Sequence, residues 1–277
     1  MSLLESILYG LVSGIAEFLP VSAEAHQALL RLLFGVSNRS SLQELLIHIG
    51  VLVSVFVASR ETLNRLRLAQ NSLSHTRRRR ARNQLDGKSY YDLRLVKTAA
   101  VPLIIGLFLR ITTQSFDGNL LAVMVFMLLN ALVLLLVAHS SHGNRDARTM
   151  SGLDGIVMGV AGALSVLPGI SRTGMIASYA TVRGADTESA ADWAILLGIP
   201  AIIVAACLDI VGIFFGGLGA LSASMVAGCV LSGLTAFCGG YLGISVLRLI
   251  LNHVGYSKFA YYSIGTAMFS FILYLIA

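Results

Sequence analysis

Residues 14–26 read GIAEFLPVSAEAH, and residues 162–174 read GALSVLPGISRTG. Each segment lies inside a long apolar run and interrupts it. Residues 3–33 are broken by Glu17, Pro20, Ser22, Glu24 and His26, and residues 152–182 by Pro168, Gly169, Ser171, Arg172, Thr173 and Gly174. Proline removes a helix hydrogen bond, and an ionisable group in apolar surroundings is costly unless it has a partner or a function. Neither run therefore reads as one straight span. Each reads as a helix, a turn at membrane depth and a second short helix returning to the same side. Irregular backbone at that depth is tolerated only inside protein or beside a water-filled cavity.

The rest of the 277 residues sets the class. Hydrophobic residues make up 56% and charged residues 12%, with mean hydropathy +0.80. A soluble domain carries roughly 25% charged residues, so too little polar surface remains to cover a water-soluble globule. Intrinsic disorder is excluded by the apolar content. A disulfide scaffold is excluded by having only Cys207, Cys229 and Cys238, all in apolar runs without metal-ligand spacing. The N-terminus lacks a basic region and carries Glu5 and Glu17, so it does not read as a removable signal. An all-α, multi-pass integral membrane protein remains.

A spanning helix needs about 20 mostly apolar residues. Six stretches fit or nearly fit: about 44–59, 94–112, 119–139, 189–215, 219–247 and 258–276. Residues 14–20 align with 162–168, and each broken run is followed by three spans. The chain thus reads as a single membrane domain built from a duplicated unit, repeat 1 over about 1–139 and repeat 2 over about 152–277. Three spans per unit is odd, so the second copy is inverted. The expected fold is six spanning helices plus two re-entrant hairpins, with a site near the midplane where the breaks face each other. Of the 20 Lys and Arg, 11 fall between Arg60 and Lys97. This Arg-rich loop, about 60–93, reads as cytoplasmic rather than nucleic-acid-binding. Both termini and the opening of the first hairpin are then outside, although Arg31 and Arg39 on the outer side oppose this orientation.

The chemistry concentrates on the two breaks. Gly169-Ile-Ser171-Arg172-Thr173-Gly174 combines small residues, hydroxyls and an arginine at a turn before a helix. Backbone N–H groups at a helix N-terminus point toward an anion, and arginine adds a planar fork that matches phosphate oxygens. On the first hairpin, His26 fits a nucleophile or general acid/base, and a nearby carboxylate would orient it or help hold a divalent cation. Ser22 also fits the N-cap of the helix that carries Glu24 and His26. His48, inside a span, reads first as a helix–helix hydrogen-bonding group and second as a functional residue. Asp209 is expected at the membrane interface.

Glu17-Phe-Leu-Pro20-Val-Ser22 with His26, and Pro168-Gly169-Ile-Ser171-Arg172-Thr173-Gly174, resemble the two signature segments of the undecaprenyl-pyrophosphate phosphatase, or bacitracin-resistance, family. Leu46-Ile-His48-Ile-Gly50 and the segment from Ala190 to Pro200 followed by Leu208-Asp209 extend the similarity over nearly the whole chain except the Arg-rich loop. The resemblance implies a plasma-membrane enzyme that removes the terminal phosphate from a C55 polyprenyl diphosphate and regenerates the monophosphate carrier for cell-wall glycans. It implies functional roles for Glu17, His26 and Arg172. Ser22, Glu24, Gly169, Ser171, Thr173 and Gly174 are the expected substrate-binding residues. A magnesium or calcium ion is implied, with Glu17 and Glu24 as its carboxylates. The expected partners are a polyprenyl diphosphate or phosphate lipid and the bilayer, without nucleic acid; a homodimer is left open. Six positions depart from the family pattern. Ser13 replaces an acidic or amide residue, Ala23 a serine, Glu24-Ala25 a Thr-Gly pair, Thr173 a serine with its hydroxyl kept, and Ile176 a threonine, so that Glu24 is a gained carboxylate. These changes keep an alternative in view: a relative that grips a polyprenyl phosphate and carries it across the membrane without hydrolysis.

Overall fold

A computed structural model describes residues 1–36, 40–74, 87–113, 116, 118–140, 143–217, 222–253 and 255–276. Its first broken run is α1 (Leu3–Phe18) and α2 (Ala23–Leu33), followed by α3 (Ser41–Ala58) and α4 (Arg60–Ser74). Then come α5 (Gly87–Leu107), the single turn α6 (Arg110–Thr113) and α7 (Leu120–Ala138). The second half is α8 (Gly152–Ala163), a 3-10 turn (Leu164–Val166), α9 (Arg172–Val182), α10 (Thr187–Gly216), α11 (Ala223–His253) and α12 (Ser257–Ile276). Among the described residues, five helices are long and apolar enough to cross a membrane: α3, α7, α10, α12 and α11 through Leu249. The protein is a multi-pass, all-helical membrane protein. The expected span at 94–112 falls on α5, which begins among Lys88, Asp92, Arg94 and Lys97 and stops at Leu107.

The expected loop at 60–93 contains helix. Leu66 and Ala69 are buried, and their spacing gives α4 an apolar stripe where it packs on α5. The run Arg77–Arg80 with Arg82 lies outside the described residues, as does Arg39. Arg31 is not a stray outer charge. It donates to the Tyr9 hydroxyl at 2.8 Å and pairs with buried Glu44 at 3.7 Å.

Local chemistry explains both breaks. Leu19 precedes Pro20 and is extended, with ψ 157°, as that neighbour requires. Ser22 then caps α2 by accepting from Ala25 N. In the second run Ser171 caps α9 by accepting from Gly174 N. Gly169 sits at φ +131°, and a Cβ there would lie 2.7 Å from Met127 N on α7. Only glycine meets both demands. The helices leading into the breaks start alike, with capping boxes Ser2/Glu5 and Ser151/Asp154.

Without a hydrophobic force between helices in lipid, close packing of small residues holds them together. Gly10 and Gly14 of α1 abut the carbonyls of Ser232 and Ala236 on α11, so the two helices run parallel. Gly155 and Gly159 of α8 meet Thr98 and the Ala99 carbonyl on α5, also in parallel. Other contacts follow the same exchange between halves. α3 packs on α11 as α10 packs on α5, while α3·α10 and α7·α12 each join one half to the other. α3 runs parallel to α11, with Gly50 against Gly233 and Ser54 against Gly240. It runs antiparallel to α10, with Ser41 near Gly212 and Ala58 near Asp192 through Arg248.

Candidate functional site at the meeting of two breaks

The two breaks are bonded to each other. Gly169 N donates to Ser22 Oγ at 3.0 Å. Ser171 Oγ donates to the Leu19 carbonyl at 3.0 Å, and Thr173 Oγ1 donates to the Glu17 carbonyl at 3.0 Å. Asn130 of α7 spans both, donating to the Pro20 carbonyl at 3.2 Å and accepting from Ser171 N at 3.0 Å. Ser22, Gly169, Ser171, Thr173 and Gly174 are therefore brought together at one joint. Their hydroxyls are occupied in fastening one turn to the other, which makes the site rigid.

Beside this joint lies a cavity of about 470 Å³. Glu17, Ser22, Glu24, Ser171 and Arg172 line it, together with Ser41, Arg110 and Gly212 at the helix ends above. Arg172 is the central charge. Its Nη1 lies 2.9 Å from Glu17 Oε1, while Nε and Nη2 are buried without a hydrogen-bond partner. Gly198 of α10 leaves room for the fork, since a Cβ there would come 3.2 Å from Nη2. Two unsatisfied guanidinium donors beside a cavity are expensive unless an acceptor arrives. The pair forms because the joined breaks set Arg172, the first residue of α9 after its cap, beside Glu17 in the last turn of α1.

Glu24 also reaches the cavity, where Oε2 lies 3.1 Å from Arg110 Nη1. The same Arg110 nitrogen donates to the Val166 carbonyl at 3.2 Å, tying α6 to the second break. Sequence reasoning missed Arg110. Its signal was a charge just inside the end of the apolar stretch at 94–112. It also missed Gln27, which lines the cavity and donates to Ser13 Oγ at 3.2 Å and Glu44 Oε2 at 3.1 Å. The family position held here by Ser13 is thus backed by a buried carboxylate from another helix.

His26 is placed differently. Its Nδ1 is 2.6 Å from the Ser22 carbonyl and its Nε2 is 2.7 Å from the Tyr262 hydroxyl. The ring stacks on Tyr262 at an interplanar angle of 3°. Nδ1 is held by the carbonyl of its own turn and Nε2 is engaged toward α12, and His26 is not among the cavity-lining residues. His48 and Asp209 do line it, and His48 Nδ1 lies 2.6 Å from Asp209 Oδ2. Asp209 is buried between helices. Among the described residues, no group of three or more His, Cys, Asp or Glu stands close enough to hold a metal by itself.

The chain matches the family described as Bacitracin resistance protein BacA over residues 6–269. It is 30% identical to the undecaprenyl-diphosphatase of Alkaliphilus metalliredigens, covering 96% of this chain and 95% of that protein. It is 26% identical to undecaprenyl-diphosphatase 1 of Shouchella clausii, covering 99% and 96%. Identity to the undecaprenyl-diphosphatase of Methanosphaera stadtmanae is 29%, covering 99% and 98%.

Proposed function

The chain belongs to the bacitracin resistance protein BacA family, and on that premise we propose that it is an undecaprenyl-diphosphate phosphatase of the plasma membrane. It would cleave the terminal phosphate and return the lipid monophosphate carrier to cell-envelope glycan synthesis. The observation that carries this reading is the buried fork of Arg172, with Nε and Nη2 lacking acceptors beside the cavity. A phosphate matches that fork in charge and shape, because its oxygens pair with the guanidinium and the first turn of α9 adds backbone N–H groups and a favourable dipole. Arg110 supplies a second cation on the same cavity. Two arginines suit a diphosphate better than a single phosphate.

The lipid's route follows from which helix ends meet the cavity. Its rim is the start of α3 at Ser41, the α6 turn at Arg110 and the end of α10 at Gly212. Arg60, Arg65 and Arg248 gather at the opposite helix ends. If the basic end is cytoplasmic, the cavity faces outside, and the substrate approaches from the outer leaflet. We read the two halves as an inverted repeat, supported by the exchange of packing partners between them. The breaks then serve as two half-sites, one rich in carboxylates and one in donors.

In the reaction, Arg172 and the α9 turn hold the terminal phosphate and stabilise charge as the bridging bond opens. Glu17 fixes the Arg172 fork. A divalent cation fits this site only together with the lipid. Magnesium commonly takes one or two carboxylates plus substrate phosphates, and Glu17 and Glu24 both face the cavity. When bound, the ion would neutralise phosphate charge.

The test is phosphate release from C55 diphosphate by purified protein in liposomes, with magnesium, with calcium and with chelator. Release that chelator suppresses is expected. Leaflet exchange of intact lipid without phosphate release overturns the proposal in favour of transport.

A further inference from the structure

Phosphoryl transfer to water needs a group that takes a proton from the attacking oxygen. Ala23 leaves the first break without a hydroxyl at that position, both His26 nitrogens are hydrogen-bonded within the protein, and His26 does not line the cavity. His48 is the one imidazole, among the described residues, that lines the cavity with Arg172 and Glu17. Its Nδ1 faces Asp209 Oδ2 at 2.6 Å, across from α3 to α10. The side chains are 12% and 10% exposed. No hydrogen bond engages Nε2 among the described residues, so a neutral ring that donates from Nδ1 to Asp209 leaves the Nε2 lone pair for the cavity. This is the arrangement in which a carboxylate fixes the tautomer of a catalytic base.

The surroundings favour that role over simple helix pairing. Asp209, Glu44 and Glu17 are carboxylates whose charges reach His48, and Arg172, Arg110 and Glu24 line the same cavity. From α11, the residues against α3 at this level are Gly233, Phe237 and Gly240, none of them titratable. A histidine that served only to join α3 to α10 would need no place on the cavity wall.

We propose that the His48–Asp209 pair of α3 and α10 is the general base of the hydrolysis, with His48 the catalytic residue and Asp209 its positioning partner. The inference rests on the phosphatase reading above. A water oxygen attacks the terminal phosphorus, and the bond from that phosphorus to the bridging oxygen breaks. The electron pair stays on the bridging oxygen, which leaves as part of the lipid monophosphate. The water proton passes to His48 Nε2 and later departs to solvent or with inorganic phosphate.

The experiment uses the full chain in liposomes with C55 diphosphate, measuring phosphate release and lipid binding separately. His48→Ala is expected to lower kcat by about 10²–10⁴, the range for a lost general base. KM and lipid affinity should move by less than about threefold, since only the chemical step is affected. Added imidazole should restore part of the turnover of His48→Ala, because the vacated space borders the cavity. His48→Gln keeps a hydrogen-bonding link to Asp209 and fills the space, so it should be as slow as His48→Ala and unresponsive to imidazole. Asp209→Asn should lower kcat less than either. A His48→Gln protein that turns over like wild type overturns the proposal, because pairing alone then suffices. So does a His48→Ala protein whose loss follows lost lipid binding and resists imidazole. Wild-type protein that releases no phosphate overturns the phosphatase reading and this inference with it. An active wild type with active His48 variants overturns this inference alone.

Discussion

The two hairpins enter the site by different means. In the second, Ser171 caps α9, Gly169 takes φ +131° against α7, and Arg172 follows at the first helical position. Its backbone chemistry fixes where the functional groups go, and Ser171, Arg172, Thr173 and Gly174 arrive together. In the first, Glu17 ends one helix, while Glu24 and His26 ride on the next. Two residues apart on a helix, they point about 200° from each other, so they cannot share the cavity wall. Glu24 faces Arg110 there, and His26 faces Tyr262 on α12. A site built on a capped turn is set locally, whereas one built on a helix face is set by the neighbours of that face.

The comparison is sharpened most by Arg172. Each charged hydrogen bond contributes about 1.5–3 kcal/mol, and two donors await an acceptor. Arg172→Ala should therefore weaken diphosphate lipid binding by on the order of 10²–10⁴, at about tenfold per 1.4 kcal/mol. It also leaves Glu17 without its ion-pair partner, which is itself destabilising. Arg172→Lys keeps the charge but loses the fork, and should recover folding while recovering little affinity. Lipid binding measured alongside thermal unfolding separates the two losses. Full affinity in Arg172→Lys would mean that charge alone, without fork geometry, holds the phosphate.

Legibility in the sequence follows the same division. The breaks at Pro20 and Pro168 are visible because proline and the capping serines act within a few residues. The class is visible because composition alone decides it. The extra helix α4 was hidden, because its apolar stripe of Leu66 and Ala69 is short and sits among charges. Arg110 was hidden because its partner, Glu24, lies far away in the chain, and nothing local marks them as a pair. The facing of His26 and the burial of Asp209 were hidden for the same reason. Each is fixed by contacts between the two halves, which periodicity does not encode.

A middle-sized effect is expected from the Glu24–Arg110 pair, which joins the first hairpin to the second through the Val166 carbonyl. Arg110→Gln should weaken diphosphate binding about tenfold, the loss of one charged contact. Glu24→Gln should do the opposite in chelator, tightening binding because Arg110 is released to the lipid. It should also lower the stimulation by magnesium if Glu24 helps hold the ion. The double variant completes a cycle with an expected coupling of about 0.5–3 kcal/mol, as for other residues in contact. Additive effects would mean that the pair is a bystander on the cavity wall, and that the gained carboxylate at 24 has no part in binding.

The smallest effects should come from His26 and Tyr262, and they bear directly on how the first hairpin works. A neutral His26 donates from Nδ1 to the Ser22 carbonyl and accepts the Tyr262 hydroxyl at Nε2. It thereby braces the turn whose Ser22 Oγ holds Gly169. Tyr262→Phe removes one neutral hydrogen bond, about 1 kcal/mol, and should slow turnover no more than about fivefold by that figure. His26→Ala removes two and frees the cap, so no more than about thirtyfold in kcat with lipid binding retained is expected on the same scale. A histidine acting directly on the reacting atoms behaves otherwise. Its removal would cost about 10²–10⁴ in kcat, while Tyr262→Phe, by releasing the ring, would leave the rate unchanged or raise it. The kcat ratio of these two variants therefore decides whether the first hairpin contributes a brace or a second proton-transfer group.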